Sequence, residues 1–426
     1  MDLALISIAC VALFALGTPV MVVLAGWVIA TSYFVIDFPL ANIGIASNES
    51  IKSFVFLAVP LFVATGDFLT EGGISRRLVN FARSVISWMP GATASTTMLS
   101  CGLFAAVSGS NAATAATMGR LLGPEMMDRG IKPGLAGAIV AAGGTVGVII
   151  PPSVMFLVYG VTMEVPSVDL FIGGVIPGIL MVVVLLGTAM FLTGRTEPSV
   201  GFRDFSFRTI TCSAAKAWSG FLAIGIIFFG IYWGYFSPTE AAGVATIYCF
   251  LAATLITRQL RLRAIPDILM RSAALSGLIV PMVVFSIQFQ QVASVMGLPA
   301  EIQQFLADVG TAHGMEISIL IMMLLILAVG ALTESVAVIL ILGPILAPVA
   351  LFFGIDPVHW GVAFVIGTTI GFITPPYGLN LFVVSAVLNV DYGSIMRAIL
   401  KLLLPLFAVW LVVTFMPWTT QYLLGR

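Results

Sequence analysis

The chain has 426 residues, of which 60% are hydrophobic and 9% charged, and its formal net charge is −1. A soluble domain carries about a quarter charged residues, so this composition cannot clothe a water-facing surface and excludes a soluble enzyme or a disordered scaffold. No basic block is long enough for a nucleic acid. Apolar stretches near the ~20 residues that a helix needs to cross a bilayer recur from end to end, which predicts an all-α polytopic membrane protein with about a dozen crossings.

Taken in chain order, the first apolar run has no Lys or Arg before Lys52, so it reads as a retained helix and not as a cleaved signal. Asn48-Glu49-Ser50 fits a glycosylation sequon, a match close to chance. Cys10, Cys101, Cys212 and Cys249 show no C-x-x-C spacing, and three lie in apolar runs, as buried inert thiols do. Arg76, Arg77 and Arg83 precede a largely apolar segment that ends at Arg120, Arg129 and Lys132. Basic loops face the cytoplasm. The segment between them therefore enters the bilayer and returns, with its tip at Ser108-Gly109-Ser110-Asn111. A helix break is expected over 143–152, where Gly143, Gly144, Thr145 and Gly147 lead to Pro151-Pro152. The longest polar stretch, 194–216, is a linker whose Arg195, Arg203, Arg208 and Lys216 place it inside. Two helices, about 218–235 and 239–257, turn at Ser237-Pro238, where Glu240 suits a cap. Arg258, Arg261, Arg263 and Arg271 mark another inner loop. Gln288, Gln290 and Gln291 suit either interhelical hydrogen bonding or a polar path. A second hairpin tip falls at Thr333-Glu334-Ser335, and a second break over 367–376, from Gly367, Thr369 and Gly371 to Thr374-Pro375-Pro376.

The chain repeats itself at an offset of 224, with 14 identities over positions 119–157. Gly130-Ile131-x-Pro133 falls on Gly354-Ile355-x-Pro357, Gly143 on Gly367, and Pro151-Pro152 on Pro375-Pro376. The expected organisation is a first repeat at 1–193, a linker and a second repeat at 217–426. Equivalent loops carry opposite charge: the second-half counterparts of the first basic loops hold Glu301, Asp308, Glu316 and Asp356, whereas Glu164 and Asp169 correspond to a loop with Arg397 and Lys401. Inverted-topology repeats follow, with both termini on the outer side.

Backbone that leaves the helix at membrane depth survives only where it is buried or lines a cavity. Its freed carbonyls, with hydroxyls, are oxygen ligands for a bare cation, and half-helix N-termini favour a carboxylate. Ser108, Ser110, Asn111 and Thr114 crowd the first tip, where Thr114 equally suits close helix packing. Glu334 falls opposite Ser110 in the repeat register. A mid-bilayer carboxylate costs on the order of 3 kcal/mol and is a functional candidate by default, and a bound cation would offset its charge. Asp67 and Glu71 lie near a cytoplasmic end.

The run from Pro60 to Leu78, Ser108-Gly-Ser-Asn-Ala-Ala-Thr114, Ser237-Pro-Thr-Glu-Ala-Ala242, Glu334 followed by Leu340-Ile-Leu-Gly-Pro344, and Thr374-Pro-Pro-Tyr-Gly378 together resemble the corresponding stretches of one family, the large membrane subunit of the tripartite ATP-independent periplasmic (TRAP) transporters. The resemblance spans nearly the whole chain. It implies an elevator-type, sodium-coupled importer of the bacterial inner membrane, working with a small four-helix membrane subunit and a periplasmic binding protein that delivers an organic acid. By the same resemblance, one sodium would sit at Ser108, Gly109, Ser110, Gly143, Thr145, Gly147 and Pro151. Another would sit at Thr333, Glu334, Ser335, Gly367, Thr369, Gly371, Thr374 and Pro375. Substrate would lie between them near Ser108, Asn111, Pro152, Ser153, Pro376 and Tyr377. Ser237 stands where Thr is usual and Glu334-Ser335 where Glu-Pro is frequent, and neither change removes an oxygen ligand. The look of the chain is closest to the sialic-acid branch, with C4-dicarboxylates and other sugar acids as alternatives.

Other classes fit less well. No phosphate-binding G-x-x-x-x-G-K-[ST] motif occurs. A membrane-embedded enzyme would need paired aspartates or H-E-x-x-H, yet the two histidines, His313 and His359, fall in predicted outer loops. The alternative is a stand-alone sodium/dicarboxylate symporter, because inverted hairpins are shared across that wider class.

Overall fold

The computed structural model describes residues 3–16, 18–36, 39, 57–197 and 206–425, and these contain helices and no strand. Asn48-Glu49-Ser50, Lys52 and Arg203 lie outside the described residues, as does the middle of the linker. The first half contributes α1 (Leu3–Ala15), α2 (Val20–Phe34), α3 (Ala58–Glu71), α4 (Ile74–Ile86), α5 (Ala92–Ser108), α6 (Asn111–Asp128), α7 (Pro133–Ile149), α8 (Val154–Thr162) and α9 (Ser167–Thr193). After it come α10 (Phe207–Lys216), α11 (Trp218–Tyr232), α12 (Pro238–Leu251) and α13 (Ile265–Val295). The remainder is α14 (Leu298–His313), α15 (Met315–Gly330), α16 (Ser335–Phe352), α17 (Pro357–Gly371), α18 (Leu379–Leu388), α19 (Tyr392–Phe415) and α20 (Trp418–Gln421).

Helix boundaries keep the 224-residue spacing seen in the sequence. Helix α6 maps onto α16 residue for residue, and α7, α8 and α9 map onto α17, α18 and α19 within a few residues. Gly73 (φ 68°) opens α4 and its counterpart Gly297 (φ 75°) opens α14, a left-handed conformation that a Cβ would strain.

Five helices are long and apolar enough to cross a bilayer, seven if each of two bent pairs counts as one span. This is fewer than a dozen full crossings among the described residues, because much of the apolar sequence is divided into shorter pieces: Ala92–Ser108, Met315–Gly330 and Leu379–Leu388 are apolar but under 18 residues. They are the first arm of each hairpin and the helix after the second break.

Helices α7 and α17 form the centre. Every side chain from Ala136 to Ile149, and from Val358 to Gly371, is buried. Helix α7 packs against α5, α6 and α19, while α17 packs against α15, α16 and α9. Beyond the breaks the packing crosses between halves: α8 lies on α16, and α18 on α6. Gly119 and Gly123 of α6 admit Val387 and Leu388 of α18, and Gly343 of α16 admits Met163 at the end of α8.

The expected break over 143–152 is narrower than the glycines suggest. Helix α7 continues through Gly143, Gly144 and Gly147 and stops at Ile149, and α17 likewise runs through Gly367 to Gly371. The glycines admit close neighbours instead of unwinding the chain. A Cβ on Gly143 would lie 2.6 Å from Cys101 Sγ, one on Gly147 2.5 Å from Thr114 Oγ1, and one on Gly367 would run into the Trp410 ring. On Gly371 it would lie 2.7 Å from the Cα of Gly330, where α15 and α17 cross.

His359 also departs from expectation. Asp356 caps α17 by accepting from the Val358 and His359 amides, so the helix begins ahead of the histidine. The ring is buried, with Nδ1 2.8 Å from Thr420 Oγ1 and Nε2 3.0 Å from the Thr414 carbonyl. It ties α17 to the C-terminal segment. His313 ends α14 and is exposed. Ser237 and Glu240 form the full capping box of α12. Arg271 on α13 pairs with Asp67 of α3 at 3.2 Å and reaches Glu71 at 4.0 Å.

Overpacking a tight helix crossing costs about 1–3 kcal/mol. Gly371→Ala is therefore expected to lower the thermal unfolding midpoint of the purified chain. Gly187→Ala, where a Cβ would meet nothing within 4 Å, should leave it unchanged or raise it slightly.

Candidate functional site

At the first tip, α5 ends at Ser108, Gly109 turns the chain at φ 60°, and extended Ser110 caps α6 by accepting from the Ala113 amide at 3.4 Å. The buried Ser108 hydroxyl lies 2.9 Å from that of Thr114. The Asn111 carboxamide faces two carbonyls of α7, which assigns its nitrogen to that side, and so oriented it donates to Gly144 at 2.6 Å and Thr145 at 3.3 Å. This tip sits against the first break: the Val154 amide reaches the Gly109 carbonyl at 3.4 Å, and a Cβ on Gly109 would lie 2.8 Å from the Pro152 carbonyl. Ser153 is buried and caps α8 by accepting from the Phe156 amide at 3.2 Å.

The second tip repeats the plan with different side chains. Thr333 donates to the Val329 carbonyl at 3.1 Å, extended Glu334 precedes α16, and Ser335 donates to the Thr368 carbonyl of α17 at 3.3 Å. The Gly378 amide reaches the Ala331 carbonyl at 3.4 Å, so this tip also touches its own break. The Pro151-Pro152 and Pro375-Pro376 bonds are both cis. Thr145, Thr369 and Thr374 each donate to a carbonyl one turn back, at 2.6, 2.9 and 2.7 Å, leaving their hydroxyl lone pairs as acceptors.

A cavity of about 130 Å³ lies where the two tips meet. Gly109, Ser110 and Asn111 line it from one half, Glu334 and Ser335 from the other, with Met155 and Phe372 from the chain beside the breaks. Glu334, half-buried, is the one ionisable group on its wall among the described residues. Of the residues expected around substrate, Asn111 lines it, whereas Ser108, Pro152, Ser153, Pro376 and Tyr377 do not. Tyr377 is 46% exposed, and the Tyr392 hydroxyl bonds to the carbonyls of Pro376 and Tyr377 at 2.8 and 2.6 Å. Gly143, Thr145, Gly147 and Pro151, and equally Thr333, Gly367, Thr369, Gly371, Thr374 and Pro375, are off this wall, on or beside the helix ends that carry the tips. The donors at both tips are hydroxyls, carbonyls and one carboxylate, a hard-oxygen set of the kind that alkali and alkaline-earth cations take.

Asn380 escaped the sequence reading. It is buried in α18 and donates to the Ala141 carbonyl of α7 at 3.0 Å, bridging the halves. The available signal was a carboxamide inside the apolar run Leu379-Asn380-Leu381-Phe382, since polar side chains in such helices seek an interhelical partner.

Residues 7–419 match the family described as Tripartite ATP-independent periplasmic transporter, DctM component. The chain belongs to this family. It is 36% identical over 376 residues to a C4-dicarboxylate TRAP transporter large permease of Pseudomonas aeruginosa, covering 88% of this chain and 87% of that one. It is 34% identical over 379 residues to a sialic acid TRAP transporter large permease of Vibrio cholerae, again covering 88% and 87%. Among solved structures, the Alcanivorax borkumensis YdaH transporter is alike in fold, with a TM-score of 0.58 over 86% of this chain and 84% of that one at 17% identity. The chain is thus the large membrane subunit of a TRAP transporter, a multi-pass membrane protein.

Gly147→Ala should push on the Thr114 hydroxyl and the Ser110 carbonyl, the latter 2.7 Å from the added Cβ. A loss of about 1–3 kcal/mol is expected. Combining it with Thr114→Ala should recover part of that loss, read as a non-additive double-mutant cycle in thermal unfolding.

Proposed function

We propose that this TRAP large subunit carries a small organic anion across the bacterial inner membrane in symport with sodium, by an elevator movement of the two tips and their central helices. One observation carries the reading: the hairpin tips of both halves converge on one cavity whose wall holds a single carboxylate among hydroxyl and carbonyl oxygens. One sodium is assigned to the first tip and the end of α7, with Ser108, Ser110 and Thr145 as oxygen donors. A second is assigned to the tip at Thr333-Glu334-Ser335 and the end of α17, with Thr369 and Thr374. Substrate is assigned to the space between the tips, at Ser110 and Asn111 on its wall, with Ser108 and Ser153 behind that wall as neighbours that a movement of the tips would bring to it. Tyr377 would reach it in a different position of the moving unit.

Energetics support more than one cation. Moving one negative charge inward against an inside-negative potential costs about 2.3 kcal/mol per 100 mV. One sodium per monoanion removes that cost, and two make the potential a driving force. The small membrane subunit and a periplasmic binding protein complete the transporter. On the charge pattern of the loops, both termini of this chain are assigned to the periplasmic side and 1–193 and 217–426 to inverted repeats. Relatives named for C4-dicarboxylates and for sialic acid are nearly equally similar to this chain, so the proposed substrate class is a carboxylate-bearing acid, with sialic acid the first compound to test.

The test is uptake of labelled sialic acid and of a C4-dicarboxylate into proteoliposomes holding this chain and its small partner, with and without an inward sodium gradient and the binding protein. Uptake that needs both supports the proposal; uptake without the binding protein points to a stand-alone symporter, and gradient-independent uptake overturns sodium coupling. Removing a charge-assisted ligand costs about 1.5–3 kcal/mol. Glu334→Ala and Ser108→Ala should each lower sodium-dependent uptake by about tenfold or more, with the unfolding midpoint retained.

A further inference from the structure

Away from the tips, a cavity of about 980 Å³ opens between α4 and the start of α10–α11. Four cationic side chains line it, Arg77 and Arg83 from α4, Arg208 and Lys216 from α10. Among the described residues, one carboxylate bonds to any of them: Glu125 of α6 pairs with Arg83. Among the described residues the lining therefore keeps a surplus of about three positive charges.

Its walls are fixed to each other. The Ser84 and Ser213 hydroxyls meet at 2.6 Å, Phe81 and Phe221 pack edge-on with ring centroids 4.9 Å apart, and Gly220 admits Leu78. The cations are thus presented by two braced helices.

The position is that of the water–lipid boundary. Helix α10 carries charge and has no buried side chain, and the chain then bends by 67° into the apolar helix α11. A short amphipathic helix set at an angle to an apolar one lies along the membrane surface. Phe207 (72% exposed), Trp218 and Leu222 leave apolar surface beside the cations, and Trp favours that depth. Arginine forks match phosphate oxygens with paired hydrogen bonds.

We propose that this cavity binds the phosphate of an anionic phospholipid headgroup, with Arg77, Arg208 and Lys216 as its charged ligands and the acyl chains lying along Phe207, Trp218 and Leu222. A headgroup with two phosphodiesters, as in cardiolipin, matches the charge surplus best. The site is separate from the cavity at the hairpin tips, and no residue lines both.

The experiment is native mass spectrometry of the purified full chain titrated with cardiolipin or with phosphatidylcholine, with and without excess inorganic phosphate. Each Lys or Arg near an anionic headgroup contributes about fivefold in affinity. Arg77→Gln with Arg208→Gln should therefore weaken cardiolipin retention by about twenty-five-fold. Arg76→Gln, an exposed neighbour outside the lining, should not. Cardiolipin retained over phosphatidylcholine, lost in the double variant and resistant to phosphate establishes the headgroup site. Displacement by inorganic phosphate alone, at matched phosphate, would keep the phosphate-binding cations and overturn the lipid as their source. Equal retention of the two lipids, or an unaffected double variant, overturns the site.

Discussion

A helix that stops inside a bilayer has to find partners for the amides and carbonyls at its end, because hydrocarbon offers none and each orphan group costs several kcal/mol. That requirement explains most of the arrangement around the two tips. The Val154 amide is met by the Gly109 carbonyl and the Gly378 amide by the Ala331 carbonyl. Ser110 and Ser153 cap the helices that they begin. Asn111, Asn380 and Ser335 spend their donors on carbonyls of α7 and α17. Each hairpin is the hydrogen-bonding complement of its own broken helix, so the oxygen-rich tips sit where they do because backbone accounting leaves them no other place.

Crossed packing then joins the two tips. Since α8 rests on α16 and α18 on α6, the element that follows each break braces the hairpin helix of the opposite half. Asn380 adds a hydrogen bond across the same boundary. A shift of one tip moves the surface against which the other break is packed. In the symport proposed above, such mechanical sharing would supply a coupling between cation and substrate that two independent sites would lack.

Much of this was legible in the residues. Apolar run length announced helices, the repeat register placed Ser110 opposite Glu334, and basic loops around 72–88 and 120–133 required a hairpin whose turn lies at Gly109. What was misread shares one cause. Gly143, Gly147, Gly367 and Gly371 have the composition of an unwound chain, and whether a glycine serves conformation or proximity depends on what stands opposite, which a single sequence does not display. Cys101, Thr114, Trp410 and Gly330 stand opposite them. His359 looked like a loop residue for a related reason, because its partners Thr414 and Thr420 lie 55 and 61 residues away in sequence.

The crossing of α8 onto α16 and α18 onto α6 also bears on how the chain is made. A first half just leaving the ribosome presents the faces of α6 and α8 before their partners exist. At about 5–20 residues per second, the wait for the second half lasts on the order of 10–40 s. Throughout that interval Gly119 and Gly123 line an empty seat for Val387 and Leu388, held open in the insertion machinery or among lipids. The packing of either half is therefore complete only once the other has been made, and the last contacts to form are those that join the two.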